Sequence, residues 1–252
     1  MADSACAPSI AAIRADTHTL RHTALVRVTH WLTAVCFFAL LLSGIEIVIS
    51  HPRFYWGETG NVGTPSLFDL PIPASRSLVH TGYNYVLPDQ NGWSRALHFQ
   101  SAWLLAFTGF FYLLAGLFTR HFRNSLLPAR ADLSLEAISS SIAAHLRFER
   151  PPAAEAWSYN VLQRISYLFV IFVAFPLVIW TGLAMSPAIA SAFPIVVTTF
   201  GGQQSARTIH FFVSLFLVLF LVVHIVMICV AGFRNRMRAM ITGSAAPRKD
   251  QA

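Results

Sequence analysis

The sequence predicts an all-α protein, an integral membrane four-helix bundle, and three observations carry that expectation. Four long apolar runs punctuate the chain, charge is scarce, and nearly all of the positive charge sits between the runs. Of 252 residues, 55% are hydrophobic and 12% are charged, where a soluble domain is about a quarter charged. Charge this sparse excludes a disordered chain, an acidic tail and an ordinary soluble enzyme. The formal net charge is +7, but the basic residues, all arginine except Lys249, flank apolar runs and form no groove. That distribution argues for membrane lipid as the surroundings and against nucleic acid as a partner. Cys6, Cys36 and Cys229 are scattered, with no spacing suited to a disulfide framework or a thiolate metal site.

The first run, Ala24–Ile49, follows an N-terminal segment, residues 1–23, that lacks the apolar stretch of a cleavable signal and is expected to be a flexible cytoplasmic tail. The second is Ala96–Phe118, the third Ile165–Met185 and the fourth Thr208–Phe233. Each is long enough to cross a hydrocarbon core, which takes about 20 apolar residues. Inside lipid each segment must bond its own backbone, so all four should be helices. Pro176 should kink the third without ending it. The membrane domain therefore spans 24–233, and 234–252 is a second cytoplasmic tail. Basic residues near the span ends set orientation. With the N-terminus inside, the inner side holds fourteen basic residues, and the outer side only Arg53, Arg76, Arg95 and Arg207. Both termini are thus expected in the cytoplasm.

Two long connections separate the spans. The outer one, Ser50–Arg95, is rich in Gly, Pro and aromatics and has no obvious element of its own. Such a loop usually carries function or a docking surface. The inner one, Thr119–Arg164, places Leu135, Ile138, Ile142 and Leu146 at helical spacing, stopped by Pro151 and Pro152. This predicts a short amphipathic helix, either lying on the membrane surface or capping the bundle end.

Four of the ten histidines lie in the spans: His30, His98, His210 and His224. His210 and His224 are 14 residues apart, 40° short of four full turns, so they share a face and are separated by a rise of about 21 Å. By depth, His30 pairs with His224 at the inner side and His98 with His210 at the outer side. Two stacked axial pairs are what two b-type haems require, one ligand from each face of each iron. Isolated metal ions are the poorer account, because no carboxylate or cysteine stands beside these residues to complete a coordination shell.

Arg27, Arg95 and Arg207 each stand three residues before one of these histidines, on the same helix side and one turn nearer the surface. A guanidinium fork there suits a haem propionate. Arg27 serves equally well as a positive-inside anchor. Gly44, 14 residues after His30, falls at the level of the outer pair, where a missing Cβ admits a porphyrin. Gly109 and Gly116 face roughly as His98 does, although small residues also mark plain helix contacts.

With these residues the chain resembles the bacterial di-haem cytochrome b superfamily, which includes cytochrome b561 and the membrane subunits of nickel-iron hydrogenase, formate dehydrogenase and thiosulfate reductase. The matching segments are Arg27-Val-Thr-His30-Trp31, Ala96-Leu-His98-Phe99, the His210 and His224 pair, and Tyr159-Asn160-Val-Leu-Gln163-Arg164. The outer run His51-Pro-Arg-Phe-Tyr-Trp-Gly57 is most similar to the thiosulfate-reductase branch. The resemblance implies a bacterial inner-membrane subunit that moves electrons between the quinone pool, menaquinone or ubiquinone, and an extracytoplasmic redox partner of the molybdopterin class. It further implies that Asn160, Gln163 and His224, with Arg164 close by, border a quinone. Ordinary capping of the third helix accounts for the same polar residues. The long outer and inner loops depart from the formate dehydrogenase pattern and bear on the partner more than on the haems.

Two other classes stay open: a stand-alone cytochrome acting on a small redox substrate, and a haem-free histidine-lined transporter. The 46-residue outer loop argues against the first, and the apolar mid-membrane region argues against the second. Glu46 lies near the outer boundary, where headgroup water is in reach. His22, His51, His80 and His121 are expected to be solvated, with His22 and His121 the alternative inner ligands to His30. Phe54, Tyr55 and Trp56 are expected to mark the membrane interface.

Overall fold

The computed structural model describes residues 22–61, 63–72, 91–128, 133–147 and 161–244. Most of the predicted N-terminal tail, Arg76, His80 and Asn160 lie outside these residues. Four helices are long and apolar enough to cross a membrane. They are α1 (Ala24–Ser50), α2 (Asn91–Phe118), α4 (Val161–Ala184) and α7 (Gln203–Val230). Between them lie α3 (Leu135–Leu146), α5 (Pro187–Ala192) and α6 (Ile195–Thr198), and α8 (Phe233–Thr242) follows. The spans run alternately up and down, with α1 packed on α2 and α4 on α7. Phe37 of α1 joins the two hairpins by packing on Val170, Ala174 and Leu217.

A seven-residue period of small side chains explains how these helices approach. On α1 the buried residues are Thr29, Cys36, Ser43 and Ser50. On α2, Ser94, Ser101 and Thr108 are buried at the same interval. Seven residues are nearly two turns, so each set forms one narrow seam along which backbones come close. The hydroxyls do not go unpaired in the apolar interior. Thr29, Ser43, Ser50 and Thr108 donate to the carbonyls of Leu25, Ala39, Glu46 and Leu104 at 2.7–3.0 Å. Large apolar residues point the other way: Val35 is 67% exposed beside Cys36 at 2%. In water that polarity would be inverted; it is the polarity of a lipid-facing bundle.

Pro176 acts as expected, with a refinement. The helix widens into a π-turn over Val170–Ala174 and resumes at Phe175 with proline in its first turn. The ring cannot donate to the carbonyl four residues back and clashes with it, and the wider turn absorbs that defect. The connection after α2 also closes in a π-turn, Phe122–Leu126. The predicted amphipathic helix is α3. It packs against the start of α4 and leaves Leu135 and Ile142 exposed, as a helix on a membrane surface would.

The connection after α1 contains structure that composition did not announce. Strands β1 (Arg53–Phe54) and β2 (Phe68–Asp69) pair antiparallel, Arg53 opposite Asp69 and Phe54 opposite Phe68. Arg53 and Asp69 form an ion pair at 3.7 Å. The segment then caps α7. The carbonyl of Gly57 accepts from the amides of Gln204 and Ser205 at 3.0 and 3.2 Å, and its amide donates to Ser205 Oγ at 2.7 Å. Helix N-termini leave such amides without intrahelical partners, so the loop supplies what the helix lacks. Gly202, at φ 127°, makes the approach possible, because a Cβ there would collide with the Gly57 backbone. Phe54 and Tyr55 are consequently buried at 1% and 3%, and only Trp56 stays exposed. The expectation that all three mark the membrane interface is corrected: Phe54 stacks on Phe68 and packs tilted against Phe211.

At the opposite end α8 folds back on α1. Gly232, in the left-handed region at φ 98°, turns the chain, and Arg27 and Trp31 donate to the Ile241 and Met240 carbonyls at 2.6 and 3.3 Å. The segment predicted only as a tail from residue 234 thus begins as a docked helix.

Candidate functional site

The helix directions bring four histidines together as two facing pairs. At the end that carries β1 and β2, here called the loop end, the rings of His98 on α2 and His210 on α7 have centroids 6.3 Å apart and planes inclined at 58°. At the end where α8 docks on the start of α1, here called the terminal end, His30 on α1 and His224 on α7 are 6.4 Å apart and inclined at 47°. Both depth-matched pairs are present in the structure.

These separations discriminate between kinds of contact. The rings are too far apart to hydrogen-bond directly with both nitrogens satisfied. One metal between them, bound at about 2.0–2.1 Å by each ring nitrogen with each centroid about 1.1 Å further back, gives roughly 6.2–6.4 Å. Among the described residues no group of three or more His, Cys, Asp or Glu is placed to hold a metal ion. Two ligands suit a metal whose other positions are filled by a macrocycle, as in haem. One further observation agrees: His30 Nδ1 is buried without a hydrogen-bond partner among the described residues, a costly state for an imidazole with no other bonding role.

The loop-end rings are held from behind in the same way on both sides. Ser43 Oγ is 3.0 Å from His98 Nδ1, and Thr181 Oγ1 is 3.0 Å from His210 Nδ1. Gly44 and Gly182 follow these hydroxyl residues, and a Cβ on either would touch the same ring at 3.7 and 3.5 Å. Gly44 therefore lies at the level foreseen for it, while Ser43, Thr181 and Gly182 were missed. Their sequence signal is a hydroxyl-glycine dipeptide near the end of both upward spans. Gly116 makes room for the Phe122 ring of the π-turn, and a Cβ on Gly109 would meet nothing within 4 Å; neither glycine touches a paired histidine.

The terminal-end pair has an aromatic rather than a hydroxyl lining. Phe220 stacks on His224 with centroids 5.8 Å apart, and Tyr167 meets His224 edge-on at 6.3 Å. Gln163 lies one turn before Tyr167 on the same side of α4, half-buried. Arg164 donates to the Leu127 carbonyl at 3.0 Å. Tyr167 escaped sequence reasoning because a lone aromatic in an apolar span carries no signal of its own. Neither alternative ligand joins this pair. His22 is buried where α1 meets Gly243, and His121 sits against Tyr112 and Phe122. Burial pushes the His121 imidazole below its usual range.

The three arginines have separate fates. Arg207 donates to the Arg53 carbonyl at 2.9 Å and to the His51 carbonyl, and its guanidinium lies 4.8 Å over the Phe54 ring. Arg95 is exposed. Its charge, with that of Arg207, acts on His51, whose imidazole is pushed below its usual range chiefly by desolvation and then by these two cations. His51, Arg95 and Arg207 thus form a basic group above the His98–His210 pair. Arg27 is engaged with α8, and its Nε is buried without a partner among the described residues.

The family model described as prokaryotic cytochrome b561 matches residues 21–243. The chain is 30% identical over 225 residues to a putative protein-methionine-sulfoxide reductase subunit, YedZ1, of Azospira oryzae, covering 88% of this chain and 96% of that protein. No solved structure matches. The chain belongs to the prokaryotic cytochrome b561 family: a haem-b-binding, multi-pass electron-transfer protein of the bacterial inner membrane.

Proposed function

We propose that the chain is the membrane subunit of a quinone-linked oxidoreductase, holding two b haems and passing electrons between the quinone pool and a redox partner outside the cytoplasm. The observation that carries this reading is the pair of facing imidazoles at each of two depths, 6.3 and 6.4 Å apart. His98 and His210 hold the loop-end haem, and His30 and His224 hold the terminal-end haem. Bound haem supplies reversible one-electron chemistry that no side chain here offers.

The chain's own groups do the rest. Arg95 and Arg207 set positive charge where propionates emerge from the loop-end site. Gly44 leaves room for the macrocycle. Gln163 offers an amide to a quinone carbonyl in the first turn of α4, one turn before Tyr167, and the family resemblance adds the amide of Asn160. The charge bias of the connections supports a cytoplasmic terminal end, which leaves β1, β2 and the cap of α7 on the outside. There the partner docks. The relative named above is a subunit of a reductase, which supports a partner that receives electrons; the molybdopterin class follows from the family resemblance.

The test is a dithionite-reduced minus oxidised spectrum of the purified chain with pyridine-haemochrome stoichiometry. Two b haems per chain are expected. One haem would mean that one facing pair is not an axial pair, and none in folded, haem-supplied protein would overturn the reading. Alanine at Asn160 and Gln163 should slow haem reduction by quinol but leave reduction by dithionite intact; unchanged quinol kinetics would remove the quinone from this end.

A further inference from the structure

Ser43 and Thr181 sit at matching places in the two hairpins. Each is fully buried, each precedes a glycine, and each contacts the Nδ1 of a loop-end histidine at 3.0 Å. Their protons can be placed. A hydroxyl has one hydrogen to give. Ser43 Oγ gives it to the Ala39 carbonyl at 2.7 Å, with Leu40 O also near at 3.2 Å. Thr181 Oγ1 gives it to the Leu177 carbonyl at 2.8 Å, with Val178 O at 3.1 Å. Towards the imidazoles both oxygens are then free to accept, and the Leu40 and Val178 carbonyls accept from the same two rings, an arrangement satisfied when Nδ1 of His98 and of His210 carries the hydrogen. The lone pair is left on Nε2 in both rings.

We infer that Ser43 and Thr181 are positioning residues for the loop-end haem, fixing both axial imidazoles as Nε2 ligands and making that haem harder to reduce than it would be without the two hydroxyls. An acceptor behind Nδ1–H increases the basicity of the ligating nitrogen, and a more basic ligand favours ferric over ferrous iron. At Gly44 and Gly182 an added Cβ would reach the same rings at 3.7 and 3.5 Å, so the missing side chains leave each ring free to sit against its hydroxyl. The inference rests on the two-haem reading, and the experiment separates the two.

Ser43→Ala, Thr181→Val and the double variant are purified as full chains and titrated redox-optically, with EPR of the oxidised haems. His98→Ala identifies the loop-end signal as the one it abolishes. Each variant should retain two haems, with the loop-end midpoint potential shifted positive, most in the double variant, and its EPR signal displaced. The terminal-end haem should not move, and Thr181→Ser should behave as the parent. Selective loss of the loop-end haem, restored by Thr181→Ser and Ser43→Thr, also supports the inference. It is overturned if the double variant keeps both haems with unchanged potentials and EPR, or if both haems shift or are lost together. The parent protein's haem count, measured first, decides the two-haem reading independently.

Discussion

Arg27 and Arg207 stand at the same spacing before a paired histidine, yet the structure gives them different work. Arg207 ties the β1 segment to α7, and Arg27 ties α8 to α1. Sequence spacing showed which side of a helix each occupies, but not that a folded-back segment would meet it there, because that segment's position is set by tertiary packing. A charge-assisted hydrogen bond of this kind contributes about 1.5–3 kcal/mol. Arg207→Ala should therefore open the loop around Phe54 and Tyr55, seen as faster proteolysis between residues 51 and 72; unchanged cleavage would show that the Gly57 cap and the 2.7 Å bond from Thr208 Oγ1 to the Tyr55 carbonyl suffice. His51 adds a pH dependence. Its folded imidazole is pushed below the unfolded value of 6.5 by desolvation, then by Arg207 and Arg95, against a smaller raising effect of the backbone bond to Ile47. The unfolded loop then binds the proton more readily, so docking is strongest above about pH 6.5 and weakens as pH falls through that value. Hydrogen exchange of the β1 amides should quicken below it, and His51→Gln should flatten the profile.

At the scale of elements, all four spans were legible because lipid demands long apolar helices, and α3 was legible from its stripe. Ends were less so: α2 starts at Asn91 and α7 at Gln203, earlier than the apolar runs. Polar first turns continue a helix once a cap such as Gly57 is supplied by another part of the chain, and hydropathy cannot see that. The small-residue seams were visible in principle as a period of seven but were masked by the uniform apolarity of the runs. They make a sharp contrast between neighbours. Cys36→Leu overfills the contact face and should cost about 1–3 kcal/mol, while Val35→Leu faces lipid and should be near neutral. Denaturation in mixed micelles followed by helical signal compares the two; equal stability would mean that the seam yields without cost.

For the whole molecule, the histidine pairs were the most legible feature, since a depth argument needs only helix rise and direction. What the sequence could not reveal was their surroundings: hydroxyls behind the loop-end pair, aromatics around the terminal-end pair. That asymmetry predicts distinct behaviour at two sites about 21 Å apart along α7. If quinone meets the terminal end, losing one pair should not resemble losing the other. His98→Ala should leave one haem that quinol still reduces at the parent rate. His224→Ala should leave one haem that dithionite reduces and quinol reduces far more slowly, because the site next to Tyr167 and Gln163 no longer adjoins a haem. Stopped-flow mixing of each purified variant with a short-chain quinol distinguishes these outcomes. Fast quinol reduction in His224→Ala together with slow reduction in His98→Ala would move the quinone to the loop end, place it beneath the basic group of His51, Arg95 and Arg207, and reverse the direction in which the bundle connects membrane to partner.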